Sequence, residues 1–221
     1  MHIFDIMGPI MIGPSSSHTA GAARIGRITQ KLLGEEVAEI TVLLHGSFAA
    51  TGVGHGTDKA LVAGLLGLKP DSPQLPFSFS IAREKGIPVT VGTVNLRGAH
   101  PNTAVLRVVS RSGARLEVNA SSLGGGRVRV NAIDGLEAAF TGDCPTLIIR
   151  NEDRPGQVAE VTGLLYDQNV NLATMQLYRD RRGGLAVMVL ESDQPILRDV
   201  VERLRGLSGI VRVVYLDMEE E

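Results

Sequence analysis

The sequence predicts an α+β protein built from two domains. Its 221 residues are long for one average domain and comfortable for two. Near Thr141–Pro145 the pattern changes from an irregular, glycine-rich part to a part with regular spacings of apolar residues. We therefore expect an α+β domain over residues 1–142 and a second domain over residues 146–221, with the element order βαββαβ.

In the N-terminal domain, apolar residues at helical spacing predict a helix over Ala20–Leu33. Alternation predicts a strand that ends at His45, and Thr57–Leu66 is typical of a helix capped by Thr57. A proline-punctuated loop is expected at Pro70–Pro76. The remaining strands, which should form a largely antiparallel sheet, are predicted at Val89–Val94, Ala104–Ser110, Arg115–Asn119 and Arg127–Ile133.

The C-terminal domain has a countable pattern. Its strands are predicted at Thr146–Arg150, Asn171–Tyr178, Leu185–Glu191 and Ile210–Leu216. The first helix should begin near Pro155 and bury Val158, Val161 and Leu165. The second should be capped by Ser192 or Asp193, end at Gly206, and bury Ile196, Val200 and Leu204. This order, βαββαβ, is that of the ferredoxin-like split unit.

Composition excludes several classes of protein. A net charge of −2 favours neither nucleic acid nor an anionic membrane. No apolar run approaches the roughly 20 residues that span a bilayer, and the N-terminal segment lacks the marks of a signal peptide. We therefore expect a cytoplasmic protein with no nucleic-acid or membrane partner. The single cysteine, Cys144, cannot form a disulfide within the chain or hold an iron–sulfur cluster, which normally needs three or four thiolates.

Two motifs combine histidine with glycine and hydroxyl residues ahead of predicted helices. The segment Gly13–Gly21 places three serines and His18 where free N–H groups can bind an anion such as a carboxylate. His45–Ser47 and Gly52–Lys59 place His55 among glycines in a predicted loop. The alternatives are that the serines only cap a helix and that His55 is structural.

Two later motifs are weaker. His100-Pro101-Asn102 can be a simple turn, and Ser121–Arg127 contains three glycines that either cradle an anion or form a flexible connection. The histidines show no zinc-binding spacing, so we predict no metal ligand in this chain. In the C-terminal domain, Asn151–Val158 runs from a strand into a helix whose N–H groups can bind an amino acid's carboxylate. An ordinary turn is the alternative there.

Taken together, these motifs resemble a known family. Ile12–Thr19, His45–Ser47 with Gly54–Ala60, His100–Asn102 and Ser122–Gly126 are similar, in order, to motifs in the beta portion of iron–sulfur L-serine dehydratases. The residues from about 146 onward, opening with Asp153-Arg154-Pro155-Gly156, resemble an ACT domain. The resemblance implies an N-terminal α/β sandwich like the allosteric-substrate-binding domain of some phosphoglycerate dehydrogenases.

The resemblance also implies an activity and a partner. Such enzymes convert L-serine to pyruvate and ammonia at a [4Fe–4S] cluster, which here must be ligated by an alpha subunit because this chain lacks the cysteines. This chain alone should then bind no iron and be inert. We further expect a homodimer through the N-terminal domain, the ACT domain or both, and a small amino acid such as L-serine as ligand. The alternatives are a free-standing amino-acid-binding regulatory module without a catalytic role and, more remotely, a related hydro-lyase.

Site residues follow from the motifs and the resemblance together. We expect His18 and His55 to lie near each other, in loops ahead of helices. The residues expected to take part in catalysis are His18, His55, Ser16, Ser17 and Asp58. Those expected to bind substrate are Ser15, Thr19, Gly56, Thr57, His100, Asn102, Gly124 and Gly125. Those expected to bind an effector are Asn151, Asp153, Pro155, Gly156 and Gln157.

Overall fold

The computed structural model describes residues 10–218, except for the side chain of Val53. The first nine residues, which we expected to belong to the mature protein, lie outside the described part. Contacts divide the chain into two compact units between Asp134 and Gly135. The two units confirm the α+β class. The predicted boundary near Thr141–Pro145 stays a prediction.

The first unit is a sheet with helices packed against it. In chain order it contains a π-helix Ser16–Gly21, α1 Ala22–Leu33, β1 Val37–Leu44, α2 Gly46–His55, α3 Thr57–Leu65, a 3₁₀ turn Leu75–Phe77, α4 Ser78–Glu84, β2 Val89–Thr93, β3 Thr103–Ser110, β4 Arg115–Gly124 and β5 Arg127–Ile133. Within the unit the strand order is β2-β1-β3-β4-β5. β2 runs parallel to β1, and the other pairs are antiparallel. The predicted largely antiparallel sheet is therefore confirmed.

The second unit has the predicted ferredoxin-like order. Its elements are β6 Leu136–Phe140, β7 Thr146–Glu152, α5 Gln157–Asp167, β8 Leu172–Arg179, β9 Leu185–Ser192, α6 Arg198–Arg205 and β10 Ile210–Leu216. From β7 onward the order is βαββαβ, and these four strands lie in the sheet order β10-β7-β9-β8. The core between this sheet and the two helices contains Leu147, Ile149, Val161, Leu165 and Val200.

Local structure in the first unit differs from the sequence-based expectations at three places. Gly46–His55 is the helix α2, not a loop, because Phe48 is fully buried and gives the segment an anchor. Ser121–Gly124 continues strand β4 instead of forming a flexible connection, since Ser121 and Ser122 pair with β5. The helix α4, which the sequence analysis missed, follows the predicted proline-rich loop.

Helix starts also differ from those predicted. Thr57 is the first helical residue of α3, because Gly56, at φ 68°, takes the cap position. In the second unit, Leu197 precedes α6, whereas Ser192 ends β9 and donates its hydroxyl to the Gln194 carbonyl at 2.8 Å. The stripe of α6 is buried as predicted, but Val158 of α5 is 36% exposed. Short polar residues such as serine satisfy turns as readily as they cap helices, which explains the error at Ser192.

Helices α1 and α3 touch through glycines. A Cβ on Gly64 would lie 2.0 Å from the Ala23 carbonyl oxygen, and a Cβ on Gly26 would lie 2.2 Å from the Leu61 carbonyl oxygen. Both obstacles are backbone atoms, so no side chain can move aside. The two helices therefore pack at a distance that only glycine permits.

This contact predicts opposite effects for two alanine substitutions. Gly64→Ala should lower the free energy of unfolding by about 1–3 kcal/mol, the usual cost of overpacking. Gly163→Ala serves as the matched control because Gly163 is also helical but has open space at its Cβ position. It should raise stability by about 0.5–1 kcal/mol. Urea unfolding of both variants measures this, and a Gly64→Ala variant as stable as the wild type would contradict the packing argument.

Candidate functional site

A cluster of polar side chains in the first unit surrounds the imidazole of His18. Ser15 caps the π-helix by accepting the backbone N–H of His18 on its hydroxyl oxygen at 3.2 Å. The Ser15 oxygen also lies 3.4 Å from His18 Nδ1. On the other side of the ring, His18 Nε2 lies 3.2 Å from Ser47 Oγ and 3.1 Å from Thr51 Oγ1. One hydroxyl therefore contacts Nδ1 of the ring, and two contact Nε2.

His55 completes this cluster from the end of α2. The centroids of its ring and that of His18 are 5.1 Å apart, and Phe48 contacts His18 from the same helix at 5.2 Å. Ser47, Thr51 and His55 follow at intervals of four residues, which places them on one helical face. The predicted proximity of His18 and His55 is confirmed. Their predicted placement in loops is wrong, since His18 lies inside a π-helix and His55 ends α2.

The π-helix itself is a feature often found at functional sites. It packs closely on β4: a Cβ on Gly21 would lie 2.1 Å from the Ser122 hydroxyl oxygen. Ser17 Oγ lies 3.6 Å from the position that a Cβ on Gly124 would take. The structure thus brings Ser17 of the first motif beside Gly124 of the glycine motif.

The turn at His100–Asn102 fixes where α2 begins. The Pro101 carbonyl accepts the backbone N–H of Ser47 at 2.8 Å. Gly46 has φ 55°, and a Cβ there would lie 2.6 Å from the Pro101 oxygen. The motifs at His45–Ser47 and His100–Asn102 therefore form one joint between backbone segments.

Three further predicted site residues lie in connections between strands or at the start of a helix. Among residues 10–218, His100 makes no hydrogen bond or ring contact with His18 or His55; its Nδ1 accepts the backbone N–H of Asn102 at 3.1 Å. Asp58 lies in the first turn of α3 and accepts the N–H of Lys59 at 2.8 Å. Gly125 lies at φ 61° in the turn between β4 and β5.

Within residues 10–134, three buried hydroxyl oxygens have no hydrogen-bond partner: Thr19 Oγ1, Thr57 Oγ1 and Ser122 Oγ. All three side chains are at most 1% exposed. Buried polar groups normally have partners, so each unpartnered one calls for an explanation. Ser122, like Ser47 and Thr51, was not among the predicted site residues, and its contact with Gly21 gives no sequence signal.

Electrostatics favours a neutral His18. Burial lowers the pKa of His18, and the neighbouring His55 lowers it further, against a smaller opposite effect of the backbone of Ser47. The ring is therefore neutral near pH 7. A neutral imidazole has one N–H and one bare nitrogen, so it can donate at one side and accept at the other.

Comparison with known proteins assigns the chain to a family. A family model described as serine dehydratase beta chain matches residues 2–85, and one described as ACT domain matches residues 145–209. The sequence is 39% identical over 214 residues to the probable L-serine dehydratase, beta chain, of Bacillus subtilis, with 97% of each chain covered. It is 32% identical over 216 residues to the L-serine dehydratase, beta chain, of Peptoniphilus asaccharolyticus, again with 97% of each covered.

The chain belongs to the L-serine dehydratase beta-chain family. The resemblance seen in its motifs is thereby confirmed, as is the ACT domain. A more distant similarity, 26% identity over 198 residues, links it to D-3-phosphoglycerate dehydrogenase of Bacillus subtilis, covering 89% of this chain and 37% of that one. Within residues 10–218, no helix is long and apolar enough to cross a membrane.

The residues of the beta chain do not fit an iron–sulfur cluster. The whole sequence has one cysteine, and partial burial, followed by nearby carboxylates such as Glu191, raises the pKa of its thiol. A protonated thiol is a poor metal ligand, because the thiolate is the form that binds. In the described part of the chain, no three His, Cys, Asp or Glu side chains come together as a metal site.

In the ACT unit, the predicted effector residues divide into two groups. Asp153 already has partners within the chain: its Oδ2 accepts hydrogen bonds from the backbone N–H of Gly183 at 2.9 Å and from Arg179 Nη1 at 3.1 Å. Asn151 and Gln157 are buried, and their amide N–H groups donate to the carbonyls of Glu152 at 2.7 Å and Ser208 at 2.9 Å. Their amide oxygens, Oδ1 and Oε1, are buried and have no hydrogen-bond partner among the described residues. Pro155 and Gly156 lie exposed in the connection between β7 and α5.

The ionised Asp153 should stabilise the β8–β9 hairpin in a pH-dependent way. The N–H of Gly183 lowers its pKa from 3.8 most strongly, partial burial opposes this, and Arg179 lowers it further. Because the folded-state pKa is the lower one, this stabilisation is present above about pH 4 and is lost as pH falls through the folded-state pKa. Asp153→Asn should therefore be less stable than the wild type at pH 7, with a difference that shrinks in acid.

Urea unfolding of the full chain at several pH values measures that difference. Asp167→Asn is the control, since it removes an exposed carboxylate from α5 in the same unit. If the destabilisation by Asp153→Asn were equal at pH 7 and pH 3, the ionised hydrogen bonds to the hairpin would not be its cause.

Proposed function

We propose that this beta chain completes the active site of an alpha subunit that converts L-serine to pyruvate and ammonia. The observation that carries the proposal is the His18–His55 pair, which lies among hydroxyls at the end of α2 with His55 exposed. The chain lacks the ligands for a [4Fe–4S] cluster, so the alpha subunit would ligate it. A partner that covers His55 would place this imidazole against the substrate.

The two histidines have different surroundings and therefore different proposed roles. Both nitrogens of His18 contact hydroxyls of its own chain, so His18 is suited to holding neighbours in place. In the described structure, the only ring contact of His55 is with His18, and its imidazole makes no hydrogen bond. Its nitrogens are available to exchange a proton with a substrate, which is what a general acid or base must do.

The unpartnered hydroxyls support binding of a polar ligand in this unit. Thr19 and Thr57 are two of the predicted substrate-binding residues, and Ser122 packs against the π-helix. A small amino acid carries a carboxylate and an ammonium group, either of which can bond to a hydroxyl. We propose that Ser15, Ser16, Ser17, Gly56, Asn102, Gly124 and Gly125 line the same substrate surface, with Asp58 and His100 at its border.

The test is anaerobic reconstitution of this chain with its alpha partner, followed by assay of pyruvate from L-serine. His55→Ala should lower kcat on the order of 10²-fold, the usual contribution of a general acid or base. Lys59→Ala, at an exposed residue of α3 four positions further along the chain, should leave kcat unchanged.

Three results would contradict the proposal. One is a complex that forms but makes no pyruvate, and another is a fully active His55→Ala complex. The third is cluster absorption in the purified beta chain alone. A chain that binds amino acids but never associates with an alpha chain would favour the free-standing regulatory module.

For the ACT unit, we propose an effector site at the connection between β7 and α5. Two buried amide oxygens, on Asn151 and Gln157, have no donor within residues 10–218, and an ammonium group is a strong donor without acceptor capacity. Their orientation is fixed because each amide N–H group already donates to a carbonyl. The start of α5 at Gly156 offers N–H groups to a carboxylate. L-Serine, with both groups, is the proposed effector.

Association into a homodimer is a further proposal for this unit. β8 lies at the edge of its sheet, and Met175 and Leu177 on it are 40% and 48% exposed. Unpaired edges with apolar side chains favour association. Sedimentation of the full chain tests this, and a monomer at high concentration would count against it.

Calorimetry of the full chain with L-serine tests the effector site. Wild type should release or absorb heat on binding, and Asn151→Leu with Gln157→Leu should abolish the signal from this site because the acceptors are gone. Asp153→Asn is the matched control: it should retain binding, since the Asp153 carboxylate is bonded to the hairpin. Binding lost in Asp153→Asn and kept in the leucine variants would reverse this assignment.

A further inference from the structure

Thr51 lies at the centre of the hydrogen bonds around His18. It is four residues after Ser47 on α2, and its hydroxyl oxygen contacts both the Ser47 carbonyl, at 2.9 Å, and His18 Nε2, at 3.1 Å. A threonine hydroxyl has one hydrogen and two lone pairs, so it can donate only once. The acceptor of that hydrogen decides which ring nitrogen of His18 is protonated.

The hydrogen of Thr51 must point to Ser47. Two oxygens 2.9 Å apart need a hydrogen between them, and the Ser47 carbonyl has none to give. A threonine inside a helix commonly donates to the carbonyl four residues earlier. Thr51 then offers only a lone pair to His18, so the hydrogen between Thr51 Oγ1 and His18 Nε2 belongs to Nε2.

Ser47 cannot make this choice by itself. Its hydroxyl also lies 3.2 Å from His18 Nε2, but a serine hydroxyl rotates and can either donate or accept. With Thr51 present, Nε2 carries the hydrogen and Ser47 must accept. If Thr51 did not accept a hydrogen bond from Nε2, the Ser47 hydroxyl could donate to Nε2, and the ring hydrogen would then lie on Nδ1.

The opposite side of the ring is consistent with this assignment. Ser15 Oγ accepts the backbone N–H of His18, which leaves its own hydrogen free to point at Nδ1, 3.4 Å away. Since burial and His55 lower the pKa of His18, the ring is neutral and Nδ1 is bare. The bare nitrogen therefore faces the serines at the start of the π-helix.

We propose that Thr51 is a positioning residue, whose hydroxyl, bonded to the Ser47 carbonyl, fixes His18 as the Nε2–H tautomer with Nδ1 facing Ser15. The tautomer itself follows from the hydrogen bonds of this chain. Its consequence for turnover rests on the proposed function, because only in an active site does the acceptor at Nδ1 help to hold the serine hydroxyls toward a substrate.

The tautomer is read by long-range ¹H–¹⁵N correlation of the imidazoles in the full-length chain with ¹⁵N-labelled histidine. His18→Gln identifies the His18 signals by their loss. Wild type and Thr51→Ser should show the Nε2–H tautomer alone, since both keep the hydroxyl. Thr51→Val, which nearly keeps the shape, should show a substantial share of the Nδ1–H tautomer, because Ser47 is then free to donate.

Two results would overturn the proposal: an Nδ1–H tautomer in the wild type, or an unchanged Nε2–H tautomer in Thr51→Val. Backbone amide spectra show whether Thr51→Val is folded; its exposed position makes that the expected result. In the reconstituted enzyme, Thr51→Val should lower kcat on the order of 10-fold, since a wrong histidine tautomer is known to impair catalysis, and Thr51→Ser should restore it. If no complex makes pyruvate, the proposed function fails while the tautomer result still stands.

Discussion

The candidate site depends on the residue at which helix α2 begins. The Pro101 carbonyl accepts the N–H of Ser47, and Gly46 allows this approach because any side chain there would collide with the Pro101 oxygen. Starting the helix at Gly46 places Ser47, Thr51 and His55 on one face, toward His18. A start one residue later would rotate that face by about 100° and separate both histidines.

Because of this constraint, the motifs of the chain have separate roles. His45–Ser47 and His100–Asn102 fix backbone positions, whereas the serines near His18 and the end of α2 present side chains. The glycine contact between α1 and α3 also fixes a backbone position. It bears on His18 because α1 continues the π-helix that carries this residue. The glycines allow backbone segments to pack closely, and the hydroxyls contact the ring of His18.

Regular spacing made much of the fold predictable from sequence. The strands of the ACT unit and the buried stripe of α6 have clear periods, and they were predicted within a few residues. Helix α2 was missed because Gly46, Gly52 and Gly54 interrupt any helical pattern; its stability comes from Phe48 and the Pro101 joint, which are tertiary. Thr51 was missed for the same reason, since its role requires knowing that α2 is a helix.

For the candidate sites, the sequence predicted which residues lie together but not their hydrogen bonds. The proximity of His18 and His55 was expected from their similar sequence motifs. The difference between their hydrogen bonds is visible only in the three-dimensional structure. Asp153 was expected to bind an effector, and in the structure its carboxylate accepts hydrogen bonds from Gly183 and Arg179. The buried amide oxygens of Asn151 and Gln157 have no sequence signal that separates them from ordinary polar side chains.

Hydrogen exchange of this beta chain, alone and in the anaerobic complex with its alpha partner and L-serine, tests the central claim most directly. The account predicts that amides of the π-helix and of the last turn of α2 exchange more slowly in the complex, because the partner covers the surface around His55. Unchanged exchange in both segments, in a complex shown to be intact, would contradict a role for these histidines in a shared active site.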